Sequence, residues 1–299
     1  MCQRILITGS TGFVGRSLIP RLISQNNKVL ELTRDKKKSE SYFGNSTNKF
    51  ELNSNQNDLI EAVFKFQPDI CIHLASYLTS SDQYEDAEKL IESNIKYLIS
   101  ILDCLKKSPP KLFINTGTFA EYFKPNSLSP AYLYAATKTA SRYFLEYYSE
   151  TYNFNQITIV PYTIYGKKDN NKKIIDIIYD SLESEKKLDL TLGNQILDFI
   201  HIDDVVNFYI EIVKKVEIIP NKKIYHLGTG RGTTLKELSN IIEKKSGKKA
   251  KINWGAKSYR IRDIMYAVAN INDVNEILPT KMIELEEGVE RYLNLKISK

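Results

Sequence analysis

Thr8-Gly9-Ser10-Thr11-Gly12-Phe13-Val14-Gly15 decides the fold of this chain. It follows the short apolar run Arg4-Ile5-Leu6-Ile7-Thr8 and opens a stretch, Val14 to Gln25, with Leu18, Ile19, Leu22 and Ile23 at helical spacing. A strand, a glycine turn and a helix in that order form a dinucleotide-binding turn. Gly9 permits the tight turn, Gly12 lets the backbone approach a pyrophosphate, and Gly15 allows close packing of helix on strand. The free N–H groups of the helix end, with its dipole, favour the phosphates.

Outward from this turn, short strands alternate with helical stretches. Val29-Leu30-Glu31-Leu32, Asp69-Ile70-Cys71-Ile72-His73-Leu74, Lys111 to Asn115 and Ile157 to Val160 read as strands. Nearly continuous apolar strands are buried on both faces, which implies an α/β protein with a doubly wound parallel sheet. The second half is less regular. Residues 167–196 and 232–299 carry mixed helix and strand signals, and Phe199 to Val213 reads as a return to the sheet layer. The chain is expected to carry a smaller second lobe, with more than one crossing between the lobes.

The end of strand two chooses the dinucleotide. An NAD site places a carboxylate there for the ribose 2′-hydroxyl. This strand ends Leu32-Thr33-Arg34-Asp35-Lys36, with Thr33 at the acidic position. Arg34 can stack on adenine and pair with a 2′-phosphate, which favours NADPH over NADH. The competing reading gives Asp35 the ribose and leaves Arg34 in solvent.

Tyr134 and Lys138 share a helical face with Ser141 and Leu145. A nearby cation is expected to lower the phenol's pKa toward the range of general acid–base work. Thr116 ends a buried strand, where its hydroxyl can steady an oxygen that gains charge; Thr118 is an alternative. Tyr292 and Lys296 have the same spacing but lack a glycine turn and a Thr-bearing strand ahead of them. Asn94 sits on the apolar stripe of Ala87, Leu90, Ile91, Leu98, Ile101 and Leu102, so it needs partners. Holding backbone or a water near Lys138 and a purely structural role are both open to it.

Composition narrows the class. The chain has 299 residues, 42% hydrophobic and 26% charged, with net charge +6. That suits one large or two small globular domains and a polyanionic small ligand. No basic stripe interleaves with stacking aromatics, so nucleic acid is not expected. Cys2, Cys71 and Cys104 are scattered and odd in number, which fits a reducing cytoplasm. The histidines make no metal-ligand spacing. No apolar run approaches a membrane span, and the first strand leaves no room for a signal peptide.

Together these residues resemble the extended short-chain dehydrogenase/reductase family, also termed the NAD-dependent epimerase/dehydratase family, over nearly the whole chain. The motifs are Thr8-Gly9-x-x-Gly12-x-x-Gly15, Ile72-His73-Leu74-Ala75-Ser76, Thr116, Tyr134-x-x-x-Lys138, Asp198-Phe199-Ile200-His201-Ile202-Asp203-Asp204-Val205 and Leu227-Gly228-Thr229-Gly230. The resemblance implies a Rossmann domain over 1–166, with 197–230 returning to it, and a nucleotide-sugar domain over 167–196 and 231–299. It implies catalytic roles for Thr116, Tyr134 and Lys138. It implies cofactor contacts from Gly9, Thr11, Gly12, Phe13, Val14, Gly15, Arg34, Leu52, Leu74, Ala75, Tyr134, Lys138 and Tyr162. Substrate contacts are implied for Ser76, Thr116, Thr118, Thr163 and Arg260, and a homodimer through the helices carrying Asn94 and Tyr134.

A narrower likeness is to the CDP-abequose and CDP-paratose synthase group. It lies in Phe113 to Thr118, in Asp169-Asn170-Asn171-Lys172, and in Trp254-Gly255-Ala256 through Arg260 to Asp263-Ile264-Met265. The implied activity is NADPH-dependent reduction of the C4 ketone of a nucleoside-diphosphate 4-keto-6-deoxy or 3,6-dideoxy hexose, CDP- or dTDP-linked, for surface polysaccharide synthesis. The runner-up is a 4-epimerase with tightly bound NAD. A non-catalytic NADP(H) sensor runs against the intact Thr116, Tyr134 and Lys138 set. Dehydration needs an acidic pair where this chain has Gly117 and Thr118. Three departures stand out: Leu197 where many relatives have Arg, Phe119-Ala120-Glu121 where Val-Tyr-Gly is usual, and Lys167-Lys168 in place of Pro-Gly.

Overall fold

The computed structural model describes residues 2–52, 55–124, 127–169 and 171–297. Asn170, in the stretch Asp169 to Lys172, lies outside the described residues. In chain order the strands are β1 (Arg4–Thr8), β2 (Lys28–Thr33), β3 (Asn48–Glu51), β4 (Ile70–His73), β5 (Leu112–Thr116), β6 (Asn155–Pro161), β7 (Thr163–Tyr165), β8 (Leu188–Leu190), β9 (Ile196–His201), β10 (Ile224–Leu227), β11 (Gly232–Thr234), β12 (Ile252–Trp254) and β13 (Tyr266–Ala267).

A seven-stranded sheet runs in the order β10-β6-β5-β4-β1-β2-β3. From β1 through β6 every pairing is parallel. The order reverses beside β1, and ligands bind at such a switch point, beyond the carboxyl ends of the strands. The doubly wound sheet read from the sequence is therefore present. The chain divides into two compact units, Met1–Val160 with Val206–Tyr225, and Pro161–Val205 with His226–Lys299.

The first unit carries helices α1 (Gly15–Ser24), α2 (Lys36–Phe43), α3 (Gln56–Phe66), α4 (Tyr84–Ile91), α5 (Tyr97–Cys104) and α6 (Leu133–Tyr152). Leu6, Leu30, Leu32, Cys71 and Phe113 on one sheet face pack with Leu59, Val63, Leu98, Ile101, Leu102 and Leu145 from the helices. Burying each such Leu contributes about 2 kcal/mol, so this layer holds the strand ends rigid. Leu18, Ile19 and Leu22 of α1 are fully buried, as the spacing requires. α3 starts where the Asn55 side chain accepts from Asn57 N–H and ends at Gln67 in the left-handed region.

The second unit contains β7, β8, β9, β11, β12 and β13, with helices α7 (Ile174–Glu183), α9 (Leu235–Ser246), α10 (Asn272–Ile277) and α11 (Leu285–Ile297). Between them in sequence, α8 (Ile202–Lys214) leads into the segment that belongs to the first unit. β9 is central: β7 and β13 pair with it in parallel and β11 antiparallel. The core joins Tyr165, Ile175, Ile178, Leu182, Leu235, Leu238, Ile242, Val289 and Tyr292. A reciprocal Thr234–Glu237 capping box starts α9, and Gly247 ends it in the left-handed region.

Phe199 to Val213, read as a return to the sheet layer, joins the first unit from Val206 onward. Its first residues finish β9, and the rest is α8, whose apolar residues recur at helical spacing. The seventh strand of the large sheet is β10. The segment rejoining the first unit is Val206–Tyr225, narrower than the 197–230 read from the sequence.

Candidate active site

The glycine turn is built from backbone contacts. Gly9 has φ +70°, and a Cβ there would lie 2.7 Å from Ala75 N and 2.8 Å from the Leu74 carbonyl carbon. A Cβ on Gly15 would lie 2.4 Å from Gly9 O, whereas one on Gly12 would meet only Gly9 O at 3.1 Å. The outer side of Gly12 is thus open to a ligand. Thr8 ties the turn to the end of β4: its Oγ1 lies 2.9 Å from His73 Nδ1 and accepts from Ala75 N–H at 3.1 Å. Burial pushes the His73 imidazole down to about 3, so it is neutral here. α1 has neither a side-chain cap nor an acid in its first turn, which leaves its positive end unshielded. Leu74 and Ala75 stand half-buried beside this cradle. These features fit a dinucleotide pyrophosphate.

At the end of β2, Arg34, Asp35, Lys36, Lys37, Glu40 and Glu51 line a cavity of about 410 Å³. Asp35 Oδ1 accepts from Lys38 N–H at 2.8 Å and caps α2. Thr33 Oγ1 accepts from Asp35 N–H at 3.2 Å. The carboxylate offered as the alternative ribose ligand is therefore engaged by its own helix. Leu52 packs at the edge of the core. Glu51, which sequence reasoning missed, accepts from Lys36 N–H at 3.2 Å.

Tyr134 and Lys138 also lie in the first unit. Tyr134, Thr137, Lys138, Ser141 and Leu145 are buried on one face of α6, as their spacing required. Tyr134 is 8% exposed and Lys138 2%. The expected lowering of the phenol does not occur. Burial raises the Tyr134 pKa, because the phenolate would lose its water, and the hydrogen-bonded Ser76 hydroxyl offsets only part of that. Burial also brings Lys138 down to about 8, against the pull of the Glu121 carboxylate and with a further push from Arg142.

Asn94 holds backbone, one of the two roles open to it. It lies on a π-helical turn, Glu92–Lys96, between α4 and α5. Its Nδ2 donates to Tyr77 O at 3.1 Å and to Thr137 Oγ1 at 3.0 Å. Its Oδ1 accepts from Tyr77 N–H at 2.7 Å and from Ser76 Oγ at 3.1 Å. Thr137 in turn donates to Tyr134 O at 2.7 Å. One amide thus ties the loop after β4 to the helix carrying Tyr134.

Thr116 ends β5, and its Oγ1 is 2.7 Å from the hydroxyl of the fully buried Tyr209 on α8. Tyr209 was not foreseen; its only sequence signal is a hydroxyl among the apolar residues Val205, Val206, Phe208 and Ile212. Thr118 caps a short 3-10 turn, accepting from Ala120 N–H at 3.3 Å.

Tyr162, Thr163 and Arg260 belong to the second unit. Tyr162 Oη is 3.3 Å from His226 Nδ1, and Thr163 pairs with Phe199. Arg260 is exposed, and its N–H donates to Asp263 Oδ2 at 3.2 Å. Two sequence motifs meet at Asp198, whose buried carboxylate accepts from the N–H groups of Thr229, Gly230 and Ala269. Tyr292 and Lys296 both donate to Asp176 and serve the core of this unit. Among the described residues no group of His, Cys, Asp and Glu could hold a metal ion, and no helix is long and apolar enough to cross a membrane.

Comparison with known proteins gives one family. The profile of the NAD dependent epimerase/dehydratase family matches residues 5–228. Protein CapI of Staphylococcus aureus is 27% identical over 98% of both chains. The CDP-abequose synthase of Salmonella muenchen is 28% identical over 98% of both chains. Among solved structures, the UDP-glucose 4-epimerase of Thermotoga maritima superposes with a TM-score of 0.85 at 20% identity, covering 99% of both chains, which shows a shared fold.

Proposed function

The chain belongs to the NAD dependent epimerase/dehydratase family, and on that premise we propose that it reduces the C4 ketone of a nucleoside-diphosphate 4-keto-6-deoxy or 3,6-dideoxy hexose with NADPH. The observation that carries this reading is the placement of Tyr134 and Lys138 on one buried face of α6, with the neutral Tyr134 phenol hydrogen-bonded to Ser76. A phenol in that state is a proton donor, which a net reduction needs at the ketone oxygen. When bound, the dinucleotide supplies the electron pair and the hydrogen that reduce the carbon. Tyr134 gives its proton to the oxygen, Thr116 hydrogen-bonds that oxygen, and Lys138 balances the phenolate until solvent returns the proton.

NADPH is favoured by Arg34, Lys36 and Lys37, which line the cavity together with Asp35, Glu40 and Glu51, and by the engagement of Asp35 in capping. A 2′-phosphate suits these three cations. The CDP-linked sugar is supported by the likeness to CDP-abequose synthases, and dTDP remains the second base to test. Arg260 is the proposed diphosphate ligand. A homodimer fits the exposed Tyr143, Phe144 and Tyr147 on α6 and Ile91 on α4.

Tyr134→Phe tests the reading. It is expected to bind NADPH like the parent and to lose most turnover; unchanged turnover would remove Tyr134 from the chemistry. Purified protein that carries tightly bound NAD and turns over without added cofactor would be the 4-epimerase instead.

A further inference from the structure

We propose that Glu121 and Arg142 are positioning residues that set the charge state of Lys138 and seat the loop following Thr116. The proposal rests on the reading of Tyr134 and Lys138 as the proton-transfer pair.

The Glu121 side chain is wholly buried in the loop between β5 and α6. Its Oε1 accepts from Thr118 N–H at 2.8 Å. Its Oε2 accepts from Thr139 Oγ1 at 3.3 Å and lies 2.8 Å from Arg142 Nε. One carboxylate therefore joins the loop after Thr116 to the helix of Tyr134 and Lys138. The loop backbone is fixed as well, with Ser129 N–H donating to Glu121 O at 2.8 Å and Ala131 N–H to Ala120 O at 2.9 Å. Gly117 makes room for this pair: a Cβ there would lie 2.6 Å from Glu121 Oε1 and 3.2 Å from Arg142 Nη2.

As a stabilising device the pair is poor. Arg142 Nη1 donates to Tyr122 Oη at 2.9 Å, but Nη2 and Nε are buried with no hydrogen bond made, Nε meeting Glu121 as an ion pair only. Buried ion pairs with unmade hydrogen bonds do not repay their desolvation. Their effect on a neighbouring charge is large, because water does not screen it.

That neighbour is Lys138, one helical turn before Arg142 and on the same face. The charged and titratable groups that act on it are Glu121 on the loop and Arg142 on its own helix, with neutral His73 on β4 beside it; Tyr134 lies one turn earlier on the same buried face. Lys138, Arg142 and Glu121 sum to a single positive charge, which a Tyr134 phenolate neutralises. Without Glu121 the Arg142 cation acts on buried Lys138 unopposed, and Lys138 releases its proton more readily. Without Arg142 the carboxylate holds that proton more tightly.

The two substitutions therefore act in opposite directions, which a purely structural pair cannot do. The full chain, labelled with ¹³Cε-lysine, is titrated by NMR without substrate, and the Lys138 resonance is assigned with Lys138→Met. The parent midpoint is expected at about 8. Glu121→Gln is expected to lower it by about one pH unit, Arg142→Met to raise it by about as much, and the double variant to return it near the parent value. Midpoints that stay put, or move the same way in both single variants, overturn the proposal. If Glu121→Gln does not fold, Arg142→Met and the double variant decide: a raised midpoint restored in the double variant supports the proposal, and any other pattern overturns it. The alkaline limb of kcat/KM should follow the NMR midpoints; if the midpoints move and the limb does not, the proposed proton transfer fails while the pair stands.

Discussion

Tyr209→Phe isolates one hydrogen bond. The ring is fully buried on α8, and among the described residues its hydroxyl meets only Thr116 Oγ1, at 2.7 Å. The substitution leaves the packed ring in place and creates no cavity larger than the missing oxygen. A neutral hydrogen bond of this kind contributes about 1 kcal/mol net. Thr116 is only half-buried, so water can satisfy it when Tyr209 is gone, which keeps the loss near that value. The effect on turnover is larger. To donate to a sugar oxygen, Thr116 must accept from Tyr209, and a chain of two such bonds polarises the second. Losing that order should lower kcat roughly tenfold, about 1.4 kcal/mol of barrier, with NADPH affinity unchanged. Urea unfolding gives the first quantity, and initial rates of NADPH oxidation with a 4-keto sugar give the second. A variant about 1 kcal/mol less stable but with parental kcat would refute the role given to the Thr116–Tyr209 bond.

Three further outcomes follow from the same geometry. Arg34→Ala should weaken NADPH roughly thirtyfold and NADH by no more than about threefold in fluorescence titrations, since only NADPH offers a phosphate to the fork; equal weakening would remove the phosphate role. Gly9→Ala places a methyl against Leu74 and Ala75 backbone at a φ of +70°, so it should destabilise the fold by about 2–4 kcal/mol and abolish dinucleotide binding; a parental melting temperature would contradict the close approach. Lys138 titrates at 10.5 when unfolded and at about 8 when buried, so between those values the unfolded chain holds more protons. Stability relative to Lys138→Met should therefore rise as pH climbs from about 8 to 10.5, while kcat/KM falls above about 8; a flat stability difference would show that Lys138 is not desolvated.

The parts visible in the sequence are those with local signals. The glycine turn, the buried strands β1, β2, β4, β5 and β6, and the Tyr134–Lys138 face each carry a periodicity or spacing that survives folding. β3 was invisible because Asn48-Lys49-Phe50-Glu51 carries a lone large apolar residue. Glu31, inside β2, is fully buried because Ser39 and Thr47 donate to it from elsewhere in the chain. Tyr209 and Arg142 meet their partners only through tertiary structure, so Phe119-Ala120-Glu121 read as a departure rather than as the anchor of the loop. The acidity of Tyr134 is hidden from the sequence for a related reason. Spacing shows that Lys138 is near; it does not show that both groups are stripped of water.

The proposed reaction is a net reduction at C4 with Tyr134 as proton donor. Its most direct test is incubation of CDP-, dTDP-, GDP- and UDP-4-keto-6-deoxyhexoses, and the CDP-3,6-dideoxy analogue, with NADPH deuterated at nicotinamide C4, followed by product identification. One CDP- or dTDP-linked product carrying deuterium at sugar C4 is expected, with one NADP⁺ formed per sugar and most of that turnover lost in Tyr134→Phe. Interconversion of C4 epimers with no NADPH consumed and no deuterium in the sugar would contradict it.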